Sequence, residues 1–255
     1  MYKSYIIIGS KGLLGSEIVK ILKRKNAKVI EVNKNNYNGK RNSSADILIN
    51  ANGNSNKFFA NTYPIRDFKK SFISVYKTLN DFKYKKYIYI SSGDVYSKPS
   101  IKSSNEKIEI HNPLNFYGKN KHLAETLVKY YCKNWLIFRL GPMIGSKLKK
   151  NSIFNIKNNK FVYENIHSKS TFINSKSVAK IILKVERKIS NKIFNLSGKG
   201  TVTFGYLKKL INSKSNFDNK KKKATYELKI NKISKHYKVP LTIKEVRKFL
   251  GHLIN

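Results

Sequence analysis

Tyr117 and Lys121 stand four residues apart in the run Asn115-Phe116-Tyr117-Gly118-Lys119-Asn120-Lys121. On a helix that spacing puts both side chains on one face. The ammonium can stabilise a phenolate, which lowers the phenol pKa toward neutrality. Such a phenol is a usable general acid/base at physiological pH. Ser92 offers a third polar group. It lies in Ser91-Ser92-Gly93-Asp94-Val95-Tyr96, directly after the apolar run 86–90. Its hydroxyl can hydrogen-bond a substrate oxygen on the carbon where the phenol acts. A lone Tyr-x-x-x-Lys is a weak signal in a chain rich in both residues, so the elements around it decide its meaning.

The element that organises the rest is at the start of the chain. Residues 5–8 form a short apolar run that stops at Gly9. Gly9-Ser10-Lys11-Gly12-Leu13-Leu14-Gly15 follows, and then Ile18, Val19, Ile21 and Leu22 at helical spacing. This order predicts a buried parallel strand, a glycine turn and a helix. Glycines let the backbone approach a phosphate closely. The amides of a helix N-terminus then meet a pyrophosphate. Gly9, Lys11, Gly12, Leu13, Leu14 and Gly15 are therefore candidate dinucleotide-binding residues, although a glycine-rich turn without a ligand has the same spacing.

Further strands are expected at 28–32, 45–50, 86–90, 135–140 and 192–197. Helices are expected at 68–82, from about 117 to Cys132, through Lys184, at 203–211 and at 243–253, the last with Thr242 as its N-cap. Asn52 and Gly53 fall at the carboxyl end of a strand, where ligands bind in parallel sheets. The implied fold is α/β, a doubly wound parallel sheet with a small C-terminal lobe. The dinucleotide-binding domain is placed at 1–145 and the lobe at 146–255, with 171–197 returning to the sheet.

The glycine turn, the Ser-Ser-x-x-Val-Tyr strand end and Asn112-Pro113-x-x-Phe116-Tyr117-Gly118-x-x-Lys121 occur in this order. Together they resemble the extended short-chain dehydrogenase/reductases, the NAD(P)-dependent epimerase/dehydratase family acting on nucleotide sugars. The likeness is good over about 5–145 and looser beyond. It implies that Ser92, Tyr117 and Lys121 are catalytic and that Tyr117 and Lys121 also touch the cofactor. Aligned to the family, Asn33 takes the ribose-binding acidic place at the end of the second strand. With Lys34 and Arg41 as phosphate contacts, this favours NADP over NAD.

The chain also departs from the family. About twenty-five residues are missing between the second strand and the next, so an edge strand is expected to be absent. Dehydratases carry two neighbouring acids where this chain has Gly93 and Asp94, which leaves Asp94 as a turn acid or a minor proton-transfer group. Gly141-Pro142 stands in the sugar-contacting stretch, with Pro142 in place of the usual Asn. His167 is a further candidate substrate contact, and Glu106 matches an acidic position of the family. The resemblance implies hydride transfer at a sugar carbon, C4 of a nucleotide-activated hexose. Either 4-keto reduction or 4-epimerisation, in surface-polysaccharide precursor synthesis, fits. It also implies a homodimer through the helix of Tyr117 and its neighbour.

Composition bounds these readings. At 255 residues with 40% hydrophobic content, the chain can bury one large core or a nucleotide domain with a small lobe. A single cysteine, Cys132, excludes an internal disulfide and fits a reducing, cytoplasmic setting. No signal peptide or membrane-length stretch is visible, and no His/Cys/acid cluster suggests a metal.

The net charge is +39, but Arg supplies only six of the 53 basic residues and the lysines are dispersed. Specific nucleic-acid recognition would favour Arg. Non-specific contact with anionic surfaces is the expected consequence. The alternative to an enzyme is a catalytically degenerate member that binds a dinucleotide, or RNA, without turnover.

Overall fold

The computed structural model describes residues 3–108, 110–111, 113 and 115–251. In chain order it contains β1 (Ser4–Ile8), α1 (Leu13–Lys23), β2 (Lys28–Val32), β3 (Ser44–Asn50), α2 (Lys57–Thr62), α3 (Pro64–Phe68), α4 (Ser74–Asp81) and β4 (Lys83–Ser92). Then come α5 (Phe116–Tyr131), β5 (Trp135–Leu140), β6 (Met143–Ile144), α6 (Ser152–Lys157), β7 (Lys169–Ser170), β8 (Ile173–Asn174) and α7 (Ser175–Val185). The chain continues with β9 (Lys192–Leu196), β10 (Val202–Thr203), α8 (Phe204–Leu210), β11 (Thr225–Tyr226), α9 (Asn231–Ser234) and α10 (Thr242–Leu250).

Among the described residues the central sheet has six strands in the order β2-β1-β3-β4-β5-β9, all parallel. Its strands are apolar on both faces because helices cover both. One face packs Ile18, Leu22, Val178 and Ile182 of α1 and α7. The other packs Val75, Leu79, Ala124 and Val128 of α4 and α5. Register aligns the carboxyl ends: Ile8 faces Val32 and Asn50, and Leu140 faces Ser92 and Leu196. The chain therefore leaves every central strand at one edge, and the strand order reverses about β1. That crevice is where this architecture binds ligands.

Among the described residues β2 is the sheet edge, with no strand beyond it. Residues 33–43 make the whole crossover to β3 with a single 3₁₀ turn at Asn38–Lys40. Tyr37 anchors the crossover by an edge-on contact with Phe82 and a hydrogen bond to Asp81. Abundant asparagine serves such turns. The described non-glycine residues with positive φ are Asn26, Asn42, Asn151, Asn159, Asn191 and Asn212. Asn tolerates this conformation better than other side chains.

Two expected helices differ. The single helix of 68–82 is α3 and α4 joined by a π turn at Lys69–Ile73, and α2 precedes them. Thr242 is not an N-cap. Leu241 holds that place, and the Thr242 hydroxyl instead donates to the Gly200 carbonyl and accepts from Phe172 N–H. α10 ends at Leu250 with Gly251 left-handed, so residues 252–253 of the expected helix lie outside the described residues. The lobe has its own core around Ile153, Phe172, Leu207 and Val246, and a small sheet of order β10-β7-β11.

Candidate active site

Two glycines let the site close. A side chain at Gly15 would run into the Gly9 carbonyl, and Gly9 itself has φ +79° with an added Cβ only 2.9 Å from the Ala51 carbonyl. The turn after β1 therefore nests against the turn after β3. α1 begins at Gly12 with no side chain capping its amides, so they stay available to an anion. Ser10 Oγ, buried here, finds no hydrogen-bond partner among the described residues.

The second close approach builds the acid/base group. α5 starts on an N-cap, Asn115, whose side chain accepts from Gly118 N–H at 2.9 Å. A side chain at Gly118 would collide with the Asp94 carbonyl. The helix can thus settle on the short turn Gly93–Val95 and bring Tyr117 to Ser92. Ser92 Oγ accepts from Asp94 N–H at 3.2 Å. Lys121 is buried one turn on. Its Nζ donates to the Ile90 carbonyl at 3.1 Å and lies 5.9 Å from the Tyr117 ring centroid. An added Cβ on Gly53 would sit 3.1 Å from that Nζ, so the loop of Asn52 and Gly53 closes over the lysine.

The electrostatics correct one expectation. Burial first, and then the Asp94 carboxylate, push the Tyr117 phenol above its ordinary value, with Ser92 opposing. Lys121 does not pull the phenol toward neutrality, because its ammonium is directed at the Ile90 carbonyl instead of the phenol oxygen. Lys121 itself is lowered to about 8 by burial, against the pull of Asp67 and Glu125.

Other residues were not apparent from sequence. Asp67 is buried and accepts from Asn54, Ser71 and Asn120 at 2.8, 3.0 and 2.7 Å. Lys57 Nζ pairs at 2.6 Å with Asp94, the acid the sequence did offer as a turn acid or minor proton-transfer group and which is fully buried. Glu125 is also buried and holds Arg139 and Ser91. Of Lys57, Asp67 and Glu125, only Glu125 had a readable signal, since it continues the four-residue spacing of Tyr117 and Lys121.

Asn33 and Lys34 emerge at the end of β2, with Asn33 Oδ1 accepting from Asn35 N–H and Lys34 exposed. Arg41 is a correction. It lies three residues before β3, at the amino edge of the sheet, and pairs with Asp81 at 3.0 Å. A strand of seven residues spans about 20 Å, which separates Arg41 from the carboxyl edge. Gly141 donates to the Leu196 carbonyl, and Pro142 O accepts from Ile173 N–H. They join the sheet to the lobe. His167 is exposed on the turn before β7. Glu106 Oε1 accepts from Asn195 N–H, a structural tie to β9. Asn112 and Leu114 of the motif lie outside the described residues. Among the described residues no cluster of His, Cys, Asp or Glu suits a metal, and no helix is long and apolar enough to cross a membrane.

Residues 5–197 match the family model described as the NAD dependent epimerase/dehydratase family. The chain belongs to that family. Solved structures agree on the fold. UDP-glucose 4-epimerase of Thermotoga maritima, solved with UDP-glucose, is 14% identical with a TM-score of 0.79, covering 98% of both chains. dTDP-4-dehydrorhamnose reductase of Bacillus anthracis, in complex with NADP, is 15% identical with a TM-score of 0.79 over 98% of both chains. UDP-N-acetylglucosamine 4-epimerase of Methanobrevibacter ruminantium is 16% identical with a TM-score of 0.79, covering 98% of this chain and 97% of that one. Comparison with curated protein sequences finds no match.

The epimerase/dehydratase family is NAD(P)-dependent, and the glycine cradle with its uncapped helix and orphaned Ser10 hydroxyl fits a dinucleotide. Gly15→Ala should test that fit. Overpacking against the Gly9 carbonyl should cost about 1–3 kcal/mol of stability. The rise in melting temperature on adding NADPH should shrink as well. An unchanged ligand-induced shift would remove the cradle from the site.

Proposed function

We propose that the protein is a nucleotide-sugar oxidoreductase acting at C4 of a nucleotide-activated hexose, as a 4-keto reductase in preference to a 4-epimerase. The observation that carries this reading is the convergence of Ser92, Tyr117 and Lys121 beside the glycine turn. Gly9, Lys11, Gly12, Leu13, Leu14 and Gly15 would hold the pyrophosphate, and Asn33 with Lys34 the adenosine ribose. Asn52, Gly53, Tyr117 and Lys121 would line the nicotinamide side. The neutral Asn33 and adjacent Lys34 favour NADP. When bound, the nicotinamide supplies or accepts the hydride.

Ser92 orients the C4 oxygen and Tyr117 transfers its proton. Burial keeps the Tyr117 phenol protonated at neutral pH, the state that donates to a ketone oxygen as it is reduced. This is why reduction is preferred. Asp94, Gly141, Pro142 and His167 are the proposed substrate side of the site. Exposed Phe116, Leu123, Tyr130 and Tyr131 on α5 and Tyr76 on α4 would suit a homodimer face. The setting would be cytoplasmic synthesis of surface-polysaccharide precursors.

Turnover should carry an alkaline limb. With Lys121 lowered to about 8, its ammonium is lost as pH rises through that value. The rate should therefore fall above about pH 8, in a profile of kcat against pH. A flat profile to pH 10 would remove the charged lysine from the reaction. The function itself is tested by screening 4-keto and 4-hydroxy nucleotide hexoses for NADPH and NADH oxidation, together with analysis of nucleotide released on denaturation. Exchangeable NADPH with ketone reduction supports the reading, whereas tightly held NAD with interconversion points to epimerisation. Nucleotide binding without turnover of any sugar would favour the catalytically degenerate module, which the exposed β2 edge makes the second reading.

A further inference from the structure

A phenol from the far end of the chain enters the site. Tyr226 lies in β11, paired in parallel with β7 so that Tyr226 faces Ser170. Its carbonyl accepts from Thr171 N–H at 3.1 Å, and Glu227 N–H donates to the Pro99 carbonyl at 2.9 Å. The backbone is therefore held on both sides of Tyr226. The side chain reaches the strand end of β4. A Cβ added to Gly93 would stand 2.6 Å from the Tyr226 hydroxyl and 2.8 Å from Leu228. Glycine at position 93 is what makes room for this phenol.

The surroundings of the hydroxyl are polar. Gly93, against which the hydroxyl lies, is flanked by Ser92 and Asp94, and burial followed by the Asp94 charge pushes the phenol above its ordinary value. Lys57 Nζ stands 5.2 Å from the Tyr226 ring centroid and reaches the two Asp94 carboxylate oxygens at 2.8 and 2.6 Å. Lys57 thus offsets the charge of a fully buried carboxylate. The phenol is a donor and acceptor, and the carboxylate accepts only. The phenol, which can both give and take a hydrogen bond, matches an alcohol, while the paired carboxylate and ammonium fix its surroundings.

We propose that Tyr226, backed by the Lys57–Asp94 ion pair, is a substrate-positioning residue whose hydroxyl binds the sugar hydroxyl neighbouring the reacting carbon. This rests on the reading of Ser92 and Tyr117 as the groups that hold the reacting oxygen. A buried site built for a hydroxyl rejects an analogue that lacks it, because its own polar groups are left unpaired. Tyr226 is then a determinant of which sugar is accepted, reaching from the C-terminal lobe to the sheet.

The test uses the NADPH-loaded protein and a panel of nucleotide 4-keto hexoses with their analogues deoxygenated next to C4. Tyr226→Phe should bind NADPH as the wild type does. It should lose about 10- to 100-fold in kcat/KM for the preferred sugar and little for the deoxy analogue, so the preference between them collapses. Lys57→Gln, which exchanges an exposed side chain and keeps a donor for the buried Asp94 carboxylate, should shift the same ratio in the same direction, so the test does not depend on Tyr226→Phe folding. A purely structural role would lower both substrates together and leave the ratio unchanged, which overturns the proposal. If the wild type neither binds nor reduces any sugar of the panel, the proposed function falls and takes this inference with it. If the wild type reduces one and both variants keep its preference, this inference falls alone.

Discussion

Tyr117→Phe should abolish most turnover, by about 10²- to 10⁴-fold, while the protein folds and binds dinucleotide normally. The expectation follows from how little else the hydroxyl does. The ring is buried, 8% exposed, and phenylalanine fills the same space. Ser92, which favours the charged form of the phenol, still keeps its bond from Asp94 N–H. Stability should therefore change by only about 1 kcal/mol. The effect should appear in kcat, since the phenol matters when its proton moves and less when substrate binds. Single-turnover oxidation of NADPH with a keto sugar measures this directly. A variant that reduces the ketone at the wild-type rate would assign the proton to another group, and Tyr226 would be the first candidate.

What the sequence made legible was whatever depends on local spacing. Gly9, Gly12 and Gly15 announced a turn between strand and helix, and the backbone contacts at Gly9 and Gly15 give the physical reason. Tyr117 and Lys121 needed only the helical repeat. The missing edge strand followed from counting residues 33–43, too few for a strand and a helix. Arg41 shows the limit of reading side-chain type without direction. A positive charge near the second strand looked useful for a phosphate, yet a residue just ahead of a parallel strand must lie at the opposite edge. Burial was equally illegible: the sign of the shift at Tyr117 depends on desolvation and Asp94, and neither can be counted along the chain. Lys57, Asp67 and Tyr226 reach the site through tertiary packing. β11 is a two-residue strand, too short to carry any periodicity.

The largest expected loss of stability belongs to Glu125→Ala. Glu125 is fully buried on α5, and its carboxylate accepts from Arg139 Nη2 at 2.7 Å, Arg139 Nε at 3.0 Å and Ser91 Oγ at 2.6 Å. Arg139 Nη1 donates to Tyr96 Oη at 2.9 Å, and Tyr96 Oη donates to Asn195 Oδ1 at 2.9 Å. One network thus ties β4, α5, β5 and β9 together beneath Ser92 and Lys121. Truncating the glutamate leaves a buried guanidinium unpaired, which costs about 3–5 kcal/mol. For a chain of this size the melting temperature should fall by roughly 10 °C. Replacing both partners with apolar residues, as in Glu125→Leu with Arg139→Met, should recover much of that loss, because no charge remains to be compensated. The pH dependence supplies an independent check. Burial alone would raise the Glu125 carboxyl, but Arg139, His122 and Ser91 hold it down to about 2 from an ordinary 4.5. A depressed carboxylate contributes stability above pH 4.5, and that contribution is lost as pH falls toward 2, on the order of 3 kcal/mol. Melting temperature followed across that window should decline steeply in the wild type and less in the apolar double variant. Equal slopes would mean that other carboxylates, and not this pair, govern acid unfolding.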